Sequence, residues 1–153
     1  MHETEALHIR RLTAEDLEPL HRLLSDPAVM RYLEPPFTRV QTEAFLQKAG
    51  MGREPLIRAV EDGRGFAGYV IYHPYDETSM ELGWVLASDR WGRGYALALT
   101  RQMICRARES GRDAVIECHP QQAATRHIAE KLGFRPCGMD GGCCVYRLAG
   151  KNE

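Results

Sequence analysis

The stretch DRWGRGYALAL, residues 89–99, places Gly92 and Gly94 where a helix is starting. Each glycine weakens a helix by about 1 kcal/mol relative to alanine, so the pair needs a reason. A helix start leaves about four backbone N–H groups without partners, and Ser, Thr, Asp or Asn usually caps them. Asp89 could cap a helix that began at Arg90, but both glycines would then sit in its first turns. The spacing predicts instead a helix that starts near residues 93–95, with no capping side chain just before it. The amides of Gly92, Arg93, Gly94, Tyr95 and Ala96 then point outward at the positive end of the helix dipole, a setting that suits phosphate or pyrophosphate. Glycine lets a ligand approach the backbone, and Ala96 keeps the next turn small. The glycines alone are equally compatible with a tight strand-to-helix turn that binds nothing. A dinucleotide fingerprint is not met, because Leu97 stands where the third glycine belongs, and there is no G-x-x-x-x-G-K-[ST] run.

The elements that must hold this loop follow from hydrophobic periodicity. LHIRRL (7–12) reads as a strand, and Asp16 to Leu24 as a helix with Leu17, Leu20, His21 and Leu24 on one face. Thr13 with Asp16 resembles a capping box. Residues 26–37 carry a short helix closed by Pro35 and Pro36, and residues 38–50 a third helix ended by Gly50. PLIRAVED, GRG and FAGYVIYHP predict a hairpin. In the strand SMELGWVLAS (79–88), Met80, Leu82, Trp84 and Leu86 share one face, with Glu81, Gly83 and Val85 on the other. The next helix buries Ala96, Leu99, Thr100, Met103, Ile104 and Ala107. DAVIECHP is a further strand, QQAATRHIAEKLGF a helix stopped at Gly133, and two strands, about 135–139 and 143–148, flank a DGG turn. This order predicts a mixed α/β sheet with helices on its faces and one right-handed parallel crossover.

Bulk properties bound the partners. At 153 residues the chain fits one domain, expected over 1–150, and a net charge of −1 leaves no footprint for nucleic acid or anionic membrane. The apolar runs fall far short of the roughly 20 residues that span a bilayer. MHETEALHIR has no apolar signal region, so a cytoplasmic location is expected. The five cysteines form no C-x-x-C pair, and an odd count suggests reduced thiols. No metal is expected: Cys143 and Cys144 are adjacent on a strand and point to opposite faces, which argues against a zinc site with Cys137 and a histidine.

ELGWVLASDRWGRGYALAL followed by ECHPQQAATRHIAEKLGF resembles the GNAT superfamily of N-acetyltransferases, and looks most like the branch of the ribosomal-protein N-acetyltransferases. That superfamily reads the pyrophosphate of acetyl-CoA with an R/Q-x-x-G-x-G/A loop. Gly94 and Ala96 match its last two anchors. Trp91 stands where Arg or Gln is usual, a replacement common in this branch as W-G-x-G-Y-A. The later segment is similar to N-x-x-S-x-x-x-x-E-K-L-G-F: EKLGF (130–134) matches in full, Gln122 replaces Asn and Thr125 replaces Ser.

The resemblance implies an acyl-CoA N-acyltransferase fold: about seven strands, mostly antiparallel, splayed in the middle. It implies acetyl-CoA as co-substrate, its pantetheine arm pairing with backbone groups of Val85, Leu86 and Ala87. A backbone N–H near Leu86 is expected to polarise the thioester carbonyl. The acceptor amine attacks directly and must be neutral, which calls for a base. Glu81 is the first candidate, because related enzymes often use a glutamate on this strand. A solvated or salt-bridged hairpin-edge glutamate is the alternative. His119 is the second candidate: it ends a strand before Pro120, and imidazole suits proton transfer near neutral pH. A surface or helix-capping histidine is the alternative. Glu117 is expected to be paired structurally, and Cys118 to be a buried thiol. Where many members carry a tyrosine acid this chain has Ala129, which leaves solvent or Tyr146 to protonate the thiolate. The acceptor pocket is expected from the N-terminal helices (15–34 and 38–50), the hairpin of strands and the C-terminal strands, with Tyr32, Glu34 and Phe37 supplied by the first of these. Glu34 would favour a cationic amine, and Arg53, Arg58 and Arg64 an anionic one. The acceptor is a peptide α-amine or a small amine, and a homodimer is common among similar proteins. The competing function is a CoA-binding sensor of the same fold that has lost catalysis.

Overall fold

The computed structural model describes residues 6–150. Its strands are β1 (His8–Arg10), β2 (Ile57–Asp62), β3 (Gly65–Asp76), β4 (Ser79–Leu86), β5 (Asp113–Cys118), β6 (Arg135–Asp140) and β7 (Cys143–Leu148), ordered β1-β2-β3-β4-β5-β7-β6 in one sheet. The β4–β5 pair is parallel, while β1–β2, β2–β3, β5–β7 and β6–β7 are antiparallel. The helices are α1 (Leu17–Leu24), α2 (Pro27–Met30), α3 (Arg39–Phe45), α4 (Tyr95–Glu109) and α5 (Ala123–Lys131). This is the mixed α/β architecture that the periodicities predict, and it is largely antiparallel, as the resemblance implies. Among the described residues no helix is long and apolar enough to cross a membrane.

The chain forms two compact units from interleaved segments. One runs to Ile71 and includes Trp84–Tyr95; the other joins Tyr72–Gly83 to the residues from Ala96 onward.

In the first unit, Thr13 N–H donates to Asp16 Oδ2 at 2.8 Å, as the capping pattern predicts. α1 buries Leu20, Leu23 and Leu24, which join Leu12, Leu46, Ile57, Tyr69 and Val85 in one apolar cluster. The helix expected over 38–50 is α3 followed by a wider π turn, Leu46–Gly50. Gly68 marks a close approach: a Cβ there would lie 2.1 Å from the Val85 carbonyl oxygen, so only glycine lets β3 and β4 meet.

In the second unit, the parallel register joins Ser79, Met80 and Glu81 to Asp113, Ala114 and Val115. Only the first three residues of each strand are matched, the pairing that a splay beyond them leaves. β5 also pairs along its length with β7, from Ala114–Leu148 to Cys118–Cys144. Arg147 ties this pair to the β3–β4 turn, donating to Asp113 at 2.9 Å, Asp76 at 3.2 Å and Thr78 at 3.0 Å. α4 buries Leu99, Thr100, Met103, Ile104 and Ala107, the predicted stripe. α5 stops at Gly133, with Phe134 N–H donating to the Ala129 carbonyl at 2.9 Å.

Candidate functional site

The glycine-bearing loop is built from backbone outward. α4 begins at Tyr95, so both glycines lie outside it. Gly92 and Gly94 have φ of 76° and 79°, values that L-residues with a Cβ reach only with strain. A Cβ added to either glycine would meet nothing within 4 Å, so the space over these amides is open to a ligand. Arg93 is exposed between them, and Ala96 is half-buried in the first turn of α4. The first α4 amides carry the orphan donors of any helix start. Open space beside both glycines, the orphan amides of a helix start and the exposed Arg93 together suit a diphosphate.

What holds this loop was not evident from sequence. Asp62, at the end of β2, accepts from Arg90 Nε at 2.9 Å and Arg90 Nη2 at 3.1 Å. The same carboxylate accepts from Tyr95 Oη at 2.9 Å and from the Arg64 amide at 2.9 Å. Arg90 and Tyr95 bracket the loop, so one buried carboxylate pins both of its ends. Arg90 holds the Asp62 carboxyl far below the usual carboxylate range, against the opposing effect of burial. The residues are 28 and 33 positions apart in sequence. GRG after Asp62 reads only as a turn, so no local signal could have found the contact.

At the end of β4 the backbone groups are partly committed. Ala87 N–H donates to the Ala67 carbonyl at 2.9 Å. By strand alternation the Leu86 N–H and carbonyl therefore face away from β3. Trp91 Nε1 donates to that Leu86 carbonyl at 2.9 Å, while the indole stays 51% exposed. Of the groups expected to meet a pantetheine arm, the Ala87 amide and Leu86 carbonyl are thus engaged within the protein. The Leu86 N–H is the group turned away from β3. Val85 is buried in the apolar cluster.

A second group of side chains surrounds Glu81. His73 Nε2 lies 3.5 Å from Glu81 Oε1, and both side chains are about one-quarter exposed, 23% and 24%. Burial pushes the Glu81 carboxyl above its usual range; His73 pulls it back and Glu117 pushes it up further. The register places Glu81 opposite Val115, so Glu117, two residues on, shares its face. Tyr75 Oη donates to Glu117 Oε2 at 2.6 Å, and this bond, with burial, pushes the phenol up to about 12. Glu117 is therefore paired, as expected. His73 and Tyr75, both on β3, were not singled out in the sequence.

His119 has a different position. The Gln121 amide donates to its Nδ1 at 3.0 Å, and its own amide donates to Gln122 Oε1 at 2.8 Å. With Nδ1 accepting, the neutral ring carries its hydrogen on Nε2, so its basic lone pair is already engaged. The contact braces the turn that precedes α5. Gln122 uses its carbonyl oxygen in the same turn, and Thr125 lies half-buried in the first half of α5. Arg126 Nε donates to Tyr146 Oη at 3.1 Å, and Tyr146 is buried. Burial pushes the Cys118 thiol up to about 11, consistent with an inert core cysteine. Glu34 is exposed, Tyr32 carries the Arg31 guanidinium 5.1 Å over its ring, and Phe37 packs edge-on to Phe45 at 5.8 Å. Among the described residues no group of three His, Cys, Asp or Glu side chains is gathered to hold a metal ion.

The acetyltransferase (GNAT) domain family matches residues 6–135. The uncharacterized N-acetyltransferase YnaD of Bacillus subtilis is 26% identical over 145 residues, covering 92% of this chain and 85% of that protein. A GNAT-family acetyltransferase structure from Bacillus anthracis superposes with a TM-score of 0.82 at 25% identity, covering 97% of each chain. The spermidine N-acetyltransferase of Vibrio cholerae, solved with CoA and spermine, shares the fold, with a TM-score of 0.74 at 22% identity and 92% of each chain covered.

Proposed function

The chain belongs to the GNAT acetyltransferase family, and on that premise we propose that it moves an acetyl group from acetyl-CoA to a primary amine by direct attack, with Glu81 as the base. The amine is a peptide α-amine or a small amine, and the W-G-x-G-Y-A stretch at residues 91–96 supports a place near the ribosomal-protein N-acetyltransferases. Glu81 carries this reading: a half-buried carboxylate whose proton affinity is raised by burial is suited to deprotonate an ammonium group.

Acetyl-CoA would supply an acetyl thioester open to attack by a neutral amine. The amides of Gly92, Arg93, Gly94, Tyr95 and Ala96 would hold its diphosphate, with the Arg93 guanidinium beside them. The Leu86 N–H, turned away from β3, is the donor offered to the thioester carbonyl. Glu81 removes one proton from the ammonium form of the acceptor, whose electron pair then becomes the nucleophile. Tyr146 Oη accepts from Arg126, which leaves its own hydrogen uncommitted by that bond, so the departing thiolate would take its proton from solvent or from Tyr146. Gln122 and Thr125 would bind through the donors that their local contacts leave.

Thiol release from acetyl-CoA, measured against a panel of small amines and peptides with free N-termini, tests the reading. Release that depends on one amine class supports it. A CoA-binding sensor is the second reading, favoured by Ala129, fully buried where the resemblance leads one to expect a tyrosine. Tight CoA binding with no thiol release for any amine would select the sensor.

A further inference from the structure

The ring orientation of His73 is set by the backbone of the next residue. Its Nδ1 lies 2.9 Å from the Pro74 carbonyl oxygen. A carbonyl can only accept, so Nδ1 carries a hydrogen. In the neutral ring Nε2 then has none, and this nitrogen lies 3.5 Å from Glu81 Oε1. A carboxylate and a lone pair so close repel; one proton between them satisfies both. The acidic groups around the pair are Glu117 on β5 and Tyr75 on β3, with Asp140 on β6 and Cys143 on β7 acting on the same cluster. Arg147 on β7, opposite Val115 in the same cross-strand row, is tied to Asp113 and Asp76. His73 is the group against Glu81 that can hold positive charge, and its partial exposure opens it to water.

We propose that His73 and Glu81 share one proton, and that His73 is the positioning residue through which Glu81 discharges the proton taken from the acceptor. This rests on the reading of Glu81 as base. The acceptor's N–H bond breaks and its electron pair stays on nitrogen. That proton forms an O–H bond on Glu81, the proton already held at His73 Nε2 leaves the imidazolium for water, and the pair is left again with one shared proton.

The test follows the Glu81 side-chain carboxyl by carbon-13 NMR against pH in the wild type and in His73→Asn. Loss of the cation should move the Glu81 midpoint up by about one pH unit, and an unmoved midpoint overturns the proposal. Nitrogen-15 shifts should show the neutral His73 ring protonated on Nδ1; a ring protonated on Nε2 overturns it as well. Neither readout needs turnover. A shifted midpoint with full turnover in Glu81→Gln would keep the shared proton and sink the base reading. An unmoved midpoint with turnover lost in Glu81→Gln would do the reverse. In kinetics, His73→Asn should shift the acid limb of kcat upward with KM for acetyl-CoA unchanged. An equal loss at every pH would be structural and would count against the relay.

Discussion

The loop after β4 and the carboxylates near its start handle charge in opposite ways. Below the loop, Asp62 and Arg90 cancel each other in a buried, bidentate contact, and the Asp62 carboxyl is driven away from any pH at which a protein works. Such a group keeps its charge and fixes geometry. Around Glu81 the balance is unequal: burial and Glu117 raise the carboxyl while His73 lowers it. Opposing influences leave a group that can gain and lose a proton. A perturbed acid therefore marks chemistry only when its shift runs toward the working pH; Asp62 is displaced the other way and serves as an anchor.

The largest expected effect breaks the proton-handling side alone. Glu81→Gln keeps the shape and should lower kcat by about 100-fold or more, with the greatest loss below the pKa of the acceptor amine, where a base is needed most. A pH–rate profile unchanged in form would remove Glu81 from that role. Asp62→Ala should instead destabilise the fold by about 3 kcal/mol, because it leaves the Arg90 charge buried and unpaired; denaturant unfolding measures this. The sign of the pH dependence is fixed by the depressed carboxyl. Asp62 contributes fully above the ordinary carboxylate range, and that contribution is lost as pH falls toward its folded value. The stability gap between wild type and Asp62→Ala should therefore narrow in acid, and a gap constant with pH would contradict the anchor. His119→Ala should have the smallest effect on chemistry: a loosened turn before α5 and a pH–rate profile of unaltered shape. Loss of a limb from that profile would restore His119 as a base.

The same contrast explains what could be read from the chain. The loop was legible because positive φ at Gly92 and Gly94 is a local demand, and the α4 stripe because helical period is local too. The start of α4 at Tyr95 falls at the edge of the predicted range. The partners of both regions were not legible. Asp62 meets Arg90 and Tyr95 only through tertiary folding, and His73 meets Glu81 only through placement of β3 beside β4. His119 shows a further limit: its place after a strand is visible in sequence, but which ring nitrogen the Gln121 amide claims is not. Ala87 is similar, since its amide is engaged by Ala67 across the sheet.

CoA binding by calorimetry, in wild type and Gly94→Trp, tests the central claim most directly. Tryptophan there must adopt a φ suited to glycine and would fill the open space over the amides. Binding should disappear in Gly94→Trp while the variant keeps the wild-type fold by circular dichroism. Undiminished CoA affinity in a folded Gly94→Trp would contradict the account.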